Sequence, residues 1–360
     1  MRNHWDIFCS VVDNFGDIGV CWRLARQLAA EHGLAVRLWV DGLASLNLLC
    51  PSIDPTLDQQ NAAGVQICRW PDCFPETAPA DVVIEAFACE LPTVYLQAMS
   101  RGSSPPVWVN LEYLSAESWV EGCHALASPH PTLPLKKTFF FPGFTKSTGG
   151  LLLEKGLFEQ RDAFHTTLPA SERLEVSLFC YDTAPVSALL DAWIKTGQPM
   201  RCRVAPGQPL AAVTNHLGGS GPWQLGHLLI EPIPFLTQAD YDRLLWSCDL
   251  NFVRGEDSFV RAQWAAVPFV WQIYRQDDEA HHIKLGAFLQ RYTEALAEPE
   301  SKAVRNFFLA WNQGSEQMVQ HWADFSAVRP TLVRYGKNWA NQLAQNELTK
   351  NLVNFCRGKL

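Results

Sequence analysis

No run of about 18 uncharged apolar residues occurs in this chain, so a membrane-spanning helix is not expected. Charge is also scarce: only 18% of the 360 residues are charged, and the balance is acidic, with a formal net charge of −8. A protein that grips a nucleic-acid backbone needs a basic face, so no nucleic-acid partner is expected. A basic protein partner, or a local positive pocket for an anionic small molecule, remains open. Residues Met1 to Asp6 lead straight into a strand-like run, without the charged, apolar and small-residue order of a secretory leader, so none is expected. The eleven cysteines have irregular spacing and no disulfide framework. Cys9, Cys21, Cys89, Cys180 and Cys248 lie in apolar runs, where buried thiols are found. Cys68 and Cys73 are close in sequence, but no second Cys or His pair completes a zinc site. A reducing, cytoplasmic location follows as the expectation. Neither G-x-G-x-x-G nor a P-loop is present, which argues against a dinucleotide oxidoreductase or an NTPase. There is no internal repeat and no low-complexity run.

What the chain does have is apolar residues, 48% of the total, and enough length for two domains with separate cores. Strand-like runs at Trp5–Val12, Ala35–Val40, Val65–Trp70, Asp81–Ala86 and Pro106–Asn110 alternate with helical or loop segments such as Cys21–His32. A second series follows, with strands at Leu174–Tyr181, Met200–Val204, His227–Ile233, Leu250–Arg254 and Phe269–Ile273. Its helices are expected at Leu152–Phe164, Val186–Thr196, Leu210–Leu217, Asp240–Ser247, Val260–Ala266 and Ala280–Leu296, with a last helical segment at Thr331–Leu360. Short apolar strands separated by helices favour parallel sheets covered on both faces. Ser128–Gly150, rich in Pro, Lys, Phe and Gly without a sustained period, reads as the connection between the domains.

Two loops carry the chemistry, and each follows a strand at the edge where parallel sheets bind ligands. The first is Asp13-Asn14-Phe15-Gly16-Asp17-Ile18-Gly19. Gly16 and Gly19 allow a tight turn. Asp13 and Asp17 are either helix caps or a working pair, one orienting and the other accepting a proton. The second loop, Arg254-Gly255-Glu256-Asp257-Ser258, leads into a helix whose N-terminal amides and dipole suit a diphosphate. Arg254 would add a charge-assisted bond and Ser258 a hydroxyl, while Asp257 or Ser258 as a simple N-cap remains compatible. Phe179, Tyr181 and Phe235 follow strands and fit either a base pocket or a core. Gln238 is positioned for a pyrimidine edge, and the Tyr274 hydroxyl for a phosphate. Glu256 and Asp257, being adjacent, point apart, and no His or Cys completes a metal site with them. His281-His282 reads as an exposed or capping pair at a helix start.

Together these residues resemble the EarP family of bacterial protein-arginine rhamnosyltransferases. The resemblance rests on WDIFCSVVDNFGDIGVCWRLARQLA (5–29), VVIEAFACELP (82–92), NLEYLSAESWVE (110–121), FFFPGFTKSTGGLL (139–152) and RGEDSFVRAQWA (254–265). It implies a GT-B fold: two Rossmann-like α/β domains facing each other across a cleft. They would be an acceptor-side domain at 1–150 and a nucleotide-sugar domain at 151–339, with a final helix near 340–360 packing back on the first. It implies inverting, metal-independent transfer of L-rhamnose from dTDP-β-L-rhamnose to an arginine of elongation factor P, which supports elongation at polyproline stretches. No cofactor is implied. The resemblance places the catalytic carboxylates at Asp17, Asp13 and Glu256. It places donor contacts at Asn14, Phe15, Gly16, Asp17, Phe179, Tyr181, Phe235, Gln238, Arg254, Gly255, Glu256, Asp257, Ser258 and Tyr274. The chain departs from the family pattern at Arg275, where Pro is expected. A GT-B enzyme with a small-molecule acceptor, or a non-catalytic binder of nucleotide or protein, are the alternative readings.

Overall fold

The alternation of short apolar strands with helices builds two compact α/β units. The computed structural model describes residues 3–12, 15–102, 104–276 and 279–360. One unit comprises Met1–Lys155 and Leu343–Leu360, the other Gly156–Gln342. Among the described residues no helix is long and apolar enough to cross a membrane.

The first unit contains strands β1 (His4–Cys9), β2 (Ala35–Val40), β3 (Gln59–Ala62), β4 (Val65–Arg69), β5 (Val82–Ala86), β6 (Val107–Leu111), β7 (Ala127–Pro129) and β8 (Lys136–Phe140). They are ordered β3-β4-β2-β1-β5-β6-β8-β7. Only the edge strands β3 and β7 run antiparallel to their neighbours. Every residue of β5 is buried, as a strand covered on both faces demands. Helices α1 (Gly16–His32), α2 (Leu43–Leu49), α3 (Thr93–Arg101) and α4 (Trp119–Cys123) connect them. On one face Ile18, Trp22, Leu24 and Leu28 of α1 pack on Ile7, Leu38 and Ile84. On the other, Phe8, Trp39, Tyr95, Met99 and Trp108 form a separate aromatic cluster. Beside it the buried Asp6 is held by a two-pronged bond from Arg37 at 2.6 Å per prong and by the Tyr95 hydroxyl.

The second unit orders its strands β11-β12-β10-β9-β13-β14. These are β9 (Leu174–Leu178), β10 (Met200–Val204), β11 (Trp223–Leu225), β12 (Leu228–Pro232), β13 (Leu250–Arg254) and β14 (Phe269–Gln272), parallel except for β11. Its helices are α5 (Leu157–His165), α6 (Val186–Thr196), α7 (Gln208–Leu217), α8 (Gln238–Trp246), α9 (Asp257–Ala265), α10 (Ala280–Thr293), α11 (Glu298–Gln313) and α12 (Met318–Leu343). The chain then returns to the first unit as α13 (Leu348–Arg357). Leu348, Leu352, Val353 and Cys356 there join the α1 core, each large apolar side chain contributing about 2 kcal/mol on burial. Glu347 caps this helix, accepting from the Thr349 and Lys350 amides at 2.7 Å each.

Two expectations need correction. Ser128–Gly150 is not an interdomain connection: it holds most of β7 and all of β8, and β8 pairs with β6 and buries Phe140. Thr331–Leu360 is not one helical segment, because the chain breaks between α12 and α13 where it passes from one unit to the other. Helix α11 and the first half of α12 have no counterpart in the sequence reading. Their signals were present: Pro299 in the first turn, acids Glu298 and Glu300 beside it, and Val304, Phe307, Phe308 and Trp311 on one face.

Candidate active site

In the first unit β1 lies between β2 and β5, so successive connections leave it in opposite directions. That switch point is where an open parallel sheet offers a crevice, and the loop after β1 sits there. Helix α1 begins at Gly16, earlier than the apolar pattern indicated, with Phe15 in the capping position and the Gly19 amide bonded to the Phe15 carbonyl at 3.0 Å. Gly16, Asp17 and Gly19 are therefore residues of the first helical turn rather than of an open turn. Asp17 does not precede the helix as a cap would. It is 2% exposed, and its carboxylate accepts from the Val12 amide at 3.0 Å and the Tyr113 hydroxyl at 3.2 Å. A carboxylate fixed through both oxygens in this way has a defined orientation. Asp13 and Asn14 lie outside the described residues.

The second unit has its switch point at β9, flanked by β10 and β13. Strand β13 ends at Arg254, which is 9% exposed. Its guanidinium lies 4.6 Å from the ring of Phe179 and 4.3 Å from that of Tyr181, both beyond the end of β9. Gly255, at φ +62°, makes the turn that a side chain would oppose. Glu256 then occupies the N-cap position of α9, and Asp257 and Ser258 are its first helical residues, so neither is the cap. The Ser258 hydroxyl donates to the Arg254 carbonyl, closing the loop onto the strand. Gln238, the first residue of α8, is 5% exposed and donates to Asp257 Oδ2 at 3.3 Å. Thr237 caps α8 by accepting from the Asp240 amide. Tyr274 is 55% exposed, Phe235 is also exposed, and the Tyr181 and Tyr274 rings meet edge to face at 5.5 Å.

The structure thus assembles Phe179, Tyr181, Arg254, Gly255, Glu256, Asp257, Ser258, Gln238 and Tyr274 around one sheet edge. An aromatic-lined guanidinium beside a helix N-terminus is suited to an anionic ligand. Three contributors were missed. Tyr113 bonds Asp17 from 96 residues away. Phe87 stacks on Tyr113 at 4.5 Å with the rings 19° apart. Gln272 accepts from the Tyr181 amide at 2.7 Å and donates to Thr183 Oγ1 at 3.1 Å. Each depends on strand ends brought together by the sheet, which no local pattern announces. His281, buried in the first turn of α10, accepts from the Gln276 amide through Nδ1. Among the described residues no three His, Cys, Asp or Glu side chains gather as a metal site would require.

Two doubly wound units, each with a loop at its switch point, make up the GT-B fold. The glycosyltransferase CalG4 shares this fold, with a TM-score of 0.53 at 12% identity over 100% of this chain and 99% of that one. The chain belongs to the EarP family: residues 5–357 match the family of the Elongation-Factor P (EF-P) rhamnosyltransferase EarP. It is 48% identical to a protein-arginine rhamnosyltransferase of Pseudomonas putida over 100% of both chains. It is 46% identical to that of Pseudomonas aeruginosa over 98% of both. A solved structure presented as the structural basis for EarP-mediated arginine glycosylation of translation elongation factor EF-P matches with a TM-score of 0.67. That match has 36% identity over 99% of both chains.

Proposed function

We propose that this enzyme transfers L-rhamnose from dTDP-β-L-rhamnose to an arginine side chain of EF-P, with inversion at the anomeric carbon, in the cytoplasm. The product would be an EF-P competent at polyproline stretches. The observation that carries the reading is a family match over residues 5–357 in a chain whose Asp17 is a buried, oriented carboxylate. A guanidinium has a pKa above about 12 and is a poor nucleophile while protonated. Asp17, with Asp13 as a supporting acid and Glu256 as a further candidate, would hold it, localise its charge on one nitrogen and take a proton as the C–N bond forms. The nitrogen attacks the anomeric carbon opposite the diphosphate. The C–O bond to the diphosphate breaks, and dTDP leaves with the electron pair.

On the donor side, Arg254 and the first amides of α9 meet the charge on the departing diphosphate, and the reading includes no metal ion or cofactor. Tyr274 adds a hydroxyl. Gln238, Phe235, Phe179 and Tyr181 are the proposed surroundings of the nucleotide, and carboxylates favour the oxocarbenium-like transition state. NMR of the glycosylated acceptor tests the stereochemistry: a β-configured donor must give an α-rhamnosyl arginine. A β-linked product would overturn the inverting mechanism, and turnover of a small arginine analogue as fast as EF-P would overturn the protein acceptor.

A further inference from the structure

The segment after β5 has an unusual backbone. Phe87, Ala88 and Glu90 all lie in the left-handed region, at φ +57°, +54° and +52°, though none is glycine. Such conformations persist only where the surroundings enforce them. Here the Phe87 amide is bonded to the Leu111 carbonyl at 2.7 Å and the Ala88 amide to Asn110 Oδ1 at 3.1 Å. Asn110 is 1% exposed and also donates to Glu112 Oε1 at 2.5 Å. The end of β6 therefore clamps the segment after β5. The result is to lay the Phe87 ring flat on Tyr113, whose hydroxyl reaches Asp17.

We propose that Tyr113 is the positioning residue of Asp17, and that the strained Phe87–Glu90 segment holds its ring for that task. The inference rests on the reading of Asp17 as the acceptor-side carboxylate. With the Val12 amide on Oδ2 and Tyr113 on Oδ1, the carboxylate plane is fixed before an acceptor arrives. The Tyr113 ring is 41% exposed, so the same side chain presents an aromatic surface beside the carboxylate to an incoming guanidinium. A ring free to rotate would withdraw the Tyr113 bond from Oδ1 and loosen the orientation of Asp17, and a misplaced group slows the chemical step.

The test is steady-state kinetics on the full chain with EF-P as acceptor, for Tyr113→Phe, Phe87→Leu and the double variant. Calorimetric dTDP binding and thermal unfolding are measured alongside. Tyr113→Phe keeps the stack and removes only the hydroxyl. Its kcat should fall roughly ten- to hundredfold, the range for a lost hydrogen bond to a charged group. The donor KM and dTDP affinity should stay at the wild-type values, a split that a general loss of structure would not produce. Phe87→Leu should lower kcat in the same way, and the double variant should be no worse than the poorer single one, because both act through Asp17. A wild-type kcat in Tyr113→Phe, or losses that multiply in the double variant, would overturn this inference alone. A wild-type chain that leaves EF-P unmodified would overturn the functional reading, and this inference with it.

Discussion

The guanidinium of Arg254 lies 4.3 Å from the ring centroid of Tyr181, at the carboxyl edge of the second sheet. With Phe179 at 4.6 Å, the cation is held against aromatic faces that neither neutralise it nor compete for a diphosphate. Replacing Arg254 with Ala should weaken dTDP binding roughly ten- to hundredfold by calorimetry, as the loss of a charge-assisted bond predicts. Lys at this position should restore little, since a point charge lacks the planar fork that binds a diphosphate through two bonds and rests on aromatic faces. Unchanged affinity in Arg254→Ala would remove this residue from the donor site.

Gly255 follows at φ +62°, and the Trp271 indole donates to its carbonyl at 2.9 Å, so the turn is fixed from both directions. Gly255→Ala should cost about 1 kcal/mol in denaturant unfolding, the penalty for an L-residue in this region. Donor affinity should fall with it. A variant as stable as wild type would show that the turn has another conformation available.

His124 carries a pH dependence whose sign follows from its burial. Nδ1 accepts from the Phe141 amide at 3.1 Å, and the ring meets Phe140 edge to face at 4.6 Å. Burial holds the imidazole pKa below its ordinary value of 6.5. The folded state thus binds the proton less well than the unfolded chain does. The associated stability is full above pH 6.5 and is lost as pH falls through the folded value. The melting temperature of wild type should therefore drop between pH 7.5 and 5.5 by more than that of His124→Gln, whose amide oxygen is able to accept the same bond. Parallel profiles for the two proteins would contradict this.

Much of the fold was legible because parallel strands buried on both faces are mostly apolar, as in β5, β9 and β13, where every residue is buried and only Glu85, Glu175, Ser177, Asn251 and Arg254 are polar. The Arg254–Ser258 loop was legible for a similar reason, since strand, glycine, acids and helix follow one another without a gap. Strands β7 and β8 were not, because Pro131 and Pro134 interrupt the segment and hide the short pairing run at Lys137–Phe140. The start of α1 was hidden by Gly16 and Gly19, which weaken a helical pattern although both lie in the helix. The Tyr113–Asp17 bond had no local trace at all: it exists because β1, β5 and β6 are neighbours in one sheet, and their ends meet only there.

Asp17→Asn keeps the shape of the side chain while removing its charge and its capacity to take a proton. Intact-mass measurement of EF-P after incubation with dTDP-β-L-rhamnose tests the central claim most directly. Wild-type enzyme should add the mass of one deoxyhexose to EF-P. Asp17→Asn should leave EF-P essentially unmodified while still binding dTDP with an affinity within a few-fold of wild type. Modification of EF-P by Asp17→Asn at the wild-type rate would contradict the account.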